Sequence, residues 1–363
     1  MRKVVNWGAV QLLKAKGYSA YMAPIVWRYL RNDFFGNPDI TLRQKLWAYK
    51  HGFLSDRIRR YGLTEANYAA YLPDLPYFKM HPINGAYSKW IDDKLTMRYV
   101  LSGYADYMPK YYYELHGGRV LPLVDCPEPR AEKHSHESVL GLLSRFSVLV
   151  LKPWAGSGGA GFYKLTLAGG SFFLNHNELS KKELLSFLQS LEHYIVTEYV
   201  IAHAQIRNVY PNTANTVRLV VVNEEQCNPN IAWASIKFGV KGSGVLDNVA
   251  AGALFCPVML HDGALTGAKQ DINGKLVEVH AHPDTGVPIT GFLPHWDLLK
   301  AKVRQIGRSF PQLLYVGYDI IITDSAFKII EMNSLPALMQ IQQCAPLIEN
   351  PHLGRFFAGS LNQ

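Results

Sequence analysis

Two apolar runs near the end of the chain each carry an isolated acid: VGYDIII holds Asp319, and KIIEMN holds Glu331 with Asn333 two residues on. If the runs pair as antiparallel strands around a turn at 324–326, Asp319 and Glu331 fall nearly opposite each other. Glu331 and Asn333 then share a face. Carboxylates flanked by Ile and Val are costly unless a cation neutralises them. Mg²⁺ (or Mn²⁺) suits such a set, because it takes oxygen ligands, binds through one or two carboxylates and completes its shell with phosphates. The competing reading is an exposed acid pair on the outer face of a hairpin.

Upstream, SVLVLKP reads as a buried strand that delivers Lys152 beside Gly156, Ser157, Gly158, Gly159, Ala160 and Gly161. These six residues satisfy G-x-G-x-x-G, but the next stretch, 162–167, alternates as a strand. A dinucleotide site needs a helix N-terminus there. Strand, glycine loop and strand instead make a flap whose N–H groups can close over phosphates, with Lys152 as a point charge. The alternative is a Lys that snorkels at a strand end. No H-R-D, D-F-G or Gly-Lys-Ser/Thr element follows, so the protein-kinase and P-loop patterns are absent. His134/His136 and His280/His282 have H-x-H spacing without an apparent third metal ligand.

The elements that must hold these groups are legible in outline. The chain has 363 residues, 48% hydrophobic and 18% charged, which excludes extended disorder and leaves room for two or three packed units. To about residue 75 the pattern is helical, with Trp27, Leu30 and Phe34 at helical spacing and a short helix over 55–61. Pro73, Pro76, Pro82 and Gly85 punctuate a loop, 92–104 reads as a helix with Leu95, Val100 and Leu101 inward, and 125–138 reads as a linker. Ser180 and Glu183 form a capping box before a helix with Leu184, Leu185 and Leu188 inward. The runs 194–200, 216–222, 231–240 and 253–260 are β-rich, and a helix over 297–308 carries Leu298, Leu299, Val303 and Ile306 on one stripe. The class is α+β.

The formal charge is +8, yet residues 1–60 alone hold twelve Lys/Arg against three acids. The basicity is therefore N-terminal, and its possible partners are nucleic acid, an anionic membrane, or an acidic polymer or sugar phosphate. A solvated helical face is the plain alternative. No run of about 18 apolar residues spans a bilayer. Four isolated cysteines, without zinc spacing, and no secretory cleavage site point to a reducing cytosol.

Taken in order, these motifs resemble the ATP-grasp superfamily. VLVLKPWAGSGGAGFYKL resembles its lysine strand and phosphate flap, YIVTEYV its hinge strand, NTVRLVVV its phosphate-facing basic strand, and GYDIIITDSAFKIIEMNSLP its metal hairpin. DDKLTMR looks like the helix that precedes the grasp domain. The resemblance implies that ATP is held by Arg98 (in preference to Lys94), Lys152, Gly156, Ser157, Gly158, Gly159, Gly161, Glu198, Tyr199 and Val200. It implies Mg²⁺ on Asp319, Glu331 and Asn333, and a catalytic role for Arg218 and Lys152. PNTANTVRLV, DNVAAGA and HPDTG bring the chain close to sugar-transfer-associated proteins of the teichuronopeptide and glutamate-ligase-related kind, with Asn215, Asp247, Asn248 and His282 on the substrate side.

The implied architecture is an ATP-grasp fold of two α+β subdomains clamping ATP, 91–200 and 201–363, behind a basic helical domain, 1–90. The implied reaction joins a small-molecule carboxylate to an amine through an acyl-phosphate, in cell-surface polysaccharide biosynthesis. Its substrates would include a sugar nucleotide or lipid-linked glycan, in the cytoplasm or peripherally at the inner face of the membrane. An anionic membrane would meet residues 1–60, and nucleic acid is not expected. One departure stands out: amino-acid ligases of this kind carry an Arg two residues before the first metal acid, where this chain has Gly317. Arg218 is the available substitute. A kinase that stops after phosphoryl transfer, and a binding module with a degenerate ATP site, are the other functions open to this sequence.

Overall fold

A computed structural model describes residues 2–361 except 130–131, 157, 224–226 and 273, and the side chains of 6–358 within that set. Helices α1 (Arg2–Ala15), α2 (Met22–Gly36), α3 (Leu42–Lys50), α4 (Arg57–Tyr61) and α5 (Asp74–Lys79) come first, then α6 (Lys89–Asp92) and α7 (Lys94–Val100). The inner side of α2 is Met22, Ala23 and Val26, while Phe34 stays exposed. The expected Trp27–Leu30–Phe34 stripe is therefore turned partly outward, and Trp27 Nε1 instead donates to Asn6 Oδ1 on α1 at 3.0 Å. The single helix expected over 92–104 is broken at Asp93. Its backbone is extended and its carboxylate accepts the Thr96 N–H, so it caps α7.

The first sheet contains β1 (Tyr111–His116), β2 (Arg119–Pro122), β3 (Val148–Pro153), β4 (Tyr163–Ala168), β5 (Ser171–Leu174), β6 (Asn177–Leu179) and β7 (Tyr194–Glu198). Its order is β2-β1-β7-β3-β4-β5-β6, with every pairing antiparallel. Helices α8 (His136–Phe146) and α9 (Lys181–Ser190) cover it, packing Leu142, Leu143, Leu184 and Leu188 on Leu149, Leu151, Leu165 and Val196. Ser180 Oγ accepts the Glu183 N–H and Glu183 Oε2 accepts the Ser180 N–H, so the capping box opens α9. The stretch expected to be linker through 138 already contains the first turn of α8.

After α10 (Ala204–Val209), the second sheet contains β8 (Val217–Val222), β9 (Asn230–Phe238), β10 (Leu254–Pro257), β11 (Ala268–Ile272) and β12 (Lys275–Val279). Helix α11 (Trp296–Ser309) separates these from β13 (Tyr315–Ile322) and β14 (Phe327–Asn333), and the order is β12-β11-β10-β9-β8-β13-β14. Alternation along β8 divides its residues between two cores. Val217, Leu219 and Val221 face Leu299, Val303 and Ile306 of α11. Val220 and Val222, with Tyr315, meet Leu72, Tyr77, α12 (Met339–Cys344) and α13 (Leu353–Leu361) on the other side.

The segment before α6 is fastened to that second core. Leu72 exchanges two hydrogen bonds with the Gln342 amide, at 2.7 and 3.0 Å. Tyr77 OH donates to Pro336 O at 2.6 Å, and Asn84 Nδ2 donates to Tyr315 O at 2.9 Å. Arg60 pairs with Asp271 of β11.

Candidate active site

Strand β3 runs through the middle of its sheet, so Lys152 near its end is only 8% exposed. Its Nζ donates to Ile330 O on β14 at 3.2 Å, tying the two sheets together. Burial, with repulsion from Lys94, pulls its ammonium down to about 7 against the opposing pull of Glu331. Lys94 arrives here because the break at Asp93 lays the chain along the segment after β3. The Lys94 N–H donates to Trp154 O at 2.7 Å, and its Nζ reaches both Gly156 O and Glu331 Oε1 at 3.1 Å.

Arg98, one turn along α7, is committed elsewhere. Its guanidinium grips both Asp125 carboxylate oxygens at 2.9–3.1 Å, and Asp125 also accepts the Tyr111 N–H. Arg98 does not line the cleft, whereas Lys94 does. Lys94, rather than the expected Arg98, is thus the α7 cation that reaches the cleft.

The glycine flap needs its glycines. Gly156, Gly158, Gly159 and Gly161 all have φ between 74° and 121°, a region that side chains rarely adopt. A Cβ on Gly159 would lie 2.7 Å from Leu246 Cδ1, and one on Gly161 would lie 2.5 Å from the Tyr194 hydroxyl. Asn248 Nδ2 donates to Gly158 O at 2.9 Å and latches the flap to the loop after β9. Ser157 lies outside the described residues. Beneath the flap, Val150, Phe162, Ile321 and Ile330 make apolar walls, and Glu198, Tyr199 and Val200 close the far side around a cavity of about 120 Å³. Glu198 Oε2 accepts the Lys110 N–H at 2.9 Å. An apolar slot with buried ammonium groups at one end suits a flat base attached to polyphosphate.

In the acidic hairpin, Asp319 pairs across the ladder with Glu331 on one side and Arg218 on the other. Arg218 holds Asp319 through Nε at 3.0 Å and Nη2 at 2.9 Å, and Lys237 Nζ adds a contact at 3.2 Å. Asn333 Nδ2 donates to the same carboxylate at 3.4 Å. Burial would raise the Asp319 carboxyl, but Arg218 and then Lys237 outweigh it and hold the group below its usual range. Asp319, Glu331 and Asn333 offer oxygen donors, the ligand chemistry that Mg²⁺ takes, and the cations on both carboxylates mark where positive charge belongs. These residues therefore fit the metal. Among the described residues, no cluster of three or more His, Cys, Asp or Glu side chains gathers, at this hairpin or elsewhere.

The four substrate-side residues divide. Asn215 is fully buried with φ 53°, donating to Tyr210 O at 2.6 Å and accepting from Thr213 Oγ1 at 2.7 Å. His282 is likewise buried, its ring stacked on Tyr210, with Nε2 donating to Gly239 O and Nδ1 accepting the Asp284 N–H. Both are spent on shaping the chain around the start of β8 and are placed outside the cleft lining. Asp247 stands closer, accepting from the Thr216 N–H and hydroxyl and lying 3.9 Å from Lys237; Asn248 is the latch. Lys237 was not anticipated. Its signal is the one that marks Lys152, a lone cation in an apolar strand (IAWASIKFGV).

Among curated proteins, none matches the chain. Solved structures similar to it include the ATP-grasp ligase PsnB complexed with minimal precursor, at 11% identity over 77% of this chain and 62% of that one, with a TM-score of 0.40. D-alanyl-alanine synthetase A from Vibrio cholerae O1 biovar eltor is 11% identical over 77% of this chain and 66% of that one, with a TM-score of 0.44. D-alanine–D-alanine ligase from Bacillus anthracis complexed with ATP is 15% identical over 75% and 66%, with a TM-score of 0.38. The chain thus spans under two thirds of the length of these structures. The family model described as sugar-transfer associated ATP-grasp matches residues 81–348, a stretch that contains the lysines, the flap, the hinge segment and the acidic hairpin. With well over half of its length matched, the chain belongs to the sugar-transfer associated ATP-grasp family.

Proposed function

We propose that the chain is an ATP-dependent carboxylate–amine ligase. The observation that carries this reading is the row of cations on two paired acids: Lys94 on Glu331 beside Lys152 in the cleft, and Arg218 and Lys237 on Asp319, the cross-strand partner of Glu331. Such a row stabilises negative charge as it moves from a polyphosphate to an incoming carboxylate.

In the proposed reaction a substrate carboxylate oxygen attacks the γ-phosphorus of ATP, giving an acyl-phosphate and ADP. An amine then attacks the acyl carbon, and phosphate leaves as the amide forms. The proton lost by the amine passes to solvent or to the departing phosphate. The adenine would lie between Val150, Phe162, Ile321 and Ile330, with Glu198 on the ribose side. Lys152 and Lys94 hold the phosphates, and the flap excludes water that would hydrolyse the acyl-phosphate. Asp319, Glu331 and Asn333 would hold Mg²⁺ or Mn²⁺, which when bound draws charge from the phosphate oxygens. Arg218 and Lys237, held beside the acidic hairpin by Asp319, would orient the carboxylate.

The family description, sugar-transfer associated, supports a sugar as one side of the reaction; a carboxylated sugar or an amino acid as the carboxylate partner, in cell-surface polysaccharide synthesis, completes the proposal. ADP release measured against panels of uronic acids, amino acids and amines tests the reading. Release that requires both a carboxylate and an amine, with an amide detected by mass spectrometry, is expected. A phosphorylated product formed without amine would make the protein a kinase, and nucleotide binding without turnover would make it a binding module.

A further inference from the structure

Apart from the cleft, the surface feature that calls for a partner is the outer side of the first three helices. On α2, Arg28, Arg31 and Phe35 recur at helical spacing and all three are exposed, Phe35 by 77%. On α3, Leu42, Leu46 and Lys50 repeat the pattern four residues apart, with both leucines 59% exposed. On α1, Trp7 (67%) and Leu12 (58%) stand out beside Lys14 and Lys16. The three helices form one body: Trp27 bonds Asn6, and Lys45 donates to Phe34 O.

The charges separate by burial. Asp33 is buried, accepting from the Tyr49 hydroxyl and the Ser55 N–H, and Asp56 is taken by Arg57 and Arg60. Only Asp39 is left as an exposed acid among residues 6–60. The cations Lys14, Lys16, Arg28, Arg31, Arg43 and Lys50, in no ion pair among the described residues, therefore face solvent on or beside the same three helices as the exposed apolar side chains. A soluble polyanion would need the cations alone. Cations mixed with an exposed Trp, Phe and Leu match a bilayer interface, where rings and aliphatic chains enter the headgroup region and Lys/Arg meet anionic lipid. No described helix is long and apolar enough to cross a membrane, so the match is to lying on the surface.

We propose that α1–α3 dock the protein peripherally on an anionic lipid bilayer, with Trp7, Phe35, Leu42 and Leu46 inserted and the six cations at the headgroups. This surface is independent of the ligase reading, since none of its residues lines the cleft. Co-sedimentation of the full chain with phosphatidylcholine vesicles, with and without phosphatidylglycerol, tests it. Binding is expected only with the anionic lipid, and it should fall as salt rises. Arg28→Glu with Arg31→Glu should lower the partition coefficient tenfold or more, at about one factor of five per cation lost. Trp7→Ala with Phe35→Ser should weaken binding while keeping its salt dependence. Brominated lipid should quench tryptophan emission in the parent protein and much less in Trp7→Ala. All these positions are exposed, so unchanged melting temperatures check the fold. Failure to bind anionic vesicles at low salt overturns the proposal, as does binding to a soluble polyuronate in place of vesicles. Binding unaltered in the Trp7/Phe35 variant overturns the inserted geometry.

Discussion

The Arg218 guanidinium lies against Gly317, with Pro336 packed closer still. A Cβ built on Gly317 would lie 3.1 Å from Arg218 Nη1 and 2.6 Å from Pro336 Cβ. The glycine at this position leaves room for Pro336 and for the arginine that reaches Asp319 from the neighbouring strand. Charge that would come from β13 itself comes from β8.

Gly317→Ala should then act on stability and on activity together. Pro336 cannot swing away like a flexible chain, so overpacking should cost about 1–3 kcal/mol, read as a lower melting temperature. Arg218→Lys leaves the space but loses the two-pronged grip on Asp319. We expect that variant to fold normally while turnover drops by about two orders of magnitude.

Lys152 makes nucleotide binding dependent on pH. Free, its ammonium titrates at about 7; phosphate nearby would favour the charged form and raise that value. Between pH 7 and the bound-state value, binding must therefore take up a proton, and affinity must fall as pH rises. Calorimetric titration with ATP at pH 8 in buffers of different ionisation enthalpy should reveal this uptake. Lys152→Arg, charged throughout, should abolish it. The same group affects folding with the opposite trend: the unfolded chain holds the extra proton between about 7 and the ordinary lysine value. Its contribution to stability thus increases with pH across that window.

Lys94 and Arg98 should separate cleanly. Lys94→Ala removes a cleft cation and should raise the nucleotide Kd at least tenfold with little change in melting temperature. Arg98→Ala strands Asp125 without its partner in a buried site, which costs about 3–5 kcal/mol. Its folded fraction should still bind nucleotide with nearly normal affinity. The reverse pattern in thermal melts and binding titrations would return Arg98 to the site.

Asn248→Ala should loosen the flap. Losing the 2.9 Å bond to Gly158 O removes about 1 kcal/mol of closure, so KM for ATP should rise about fivefold. Hydrogen exchange over 156–161 should speed up, while the second sheet keeps its protection.

What could be foreseen from sequence follows a physical line. Lys152, Asp319 and Glu331 were legible because a charge inside an apolar strand is expensive and so informative. The hairpin pairing was legible from two apolar runs around a short polar turn, and α9 from its capping box. Asn215 and His282 misled because sequence displays a polar group without displaying the buried carbonyls that already satisfy it. Arg98 misled for the same reason, since Asp125, its partner, lies 27 positions away in a stretch that reads as linker. The first turn of α8 and the hairpin of β11 and β12 escaped because short, mixed segments give little periodicity. Which of Lys94 and Arg98 faces the cleft depends on one cap at Asp93, and helical spacing alone does not locate that break.

The bond from Tyr77 to Pro336 O ties the region before the matched family stretch to the neighbour that crowds Gly317 and so confines Arg218. Leu72 and Tyr77 also floor the same sheet face on which Arg218 stands. For anyone exchanging parts between relatives, this sets where the seam can fall. A chimera that replaces α1 and α2 must carry the stretch from about residue 42 onward from the same parent as the acidic hairpin. A cut at residue 60 would also strip Ala48 and Phe53 from the cluster they form with Tyr61 and Leu63. The stretch from α3 to α5 and the second sheet are a single heritable part.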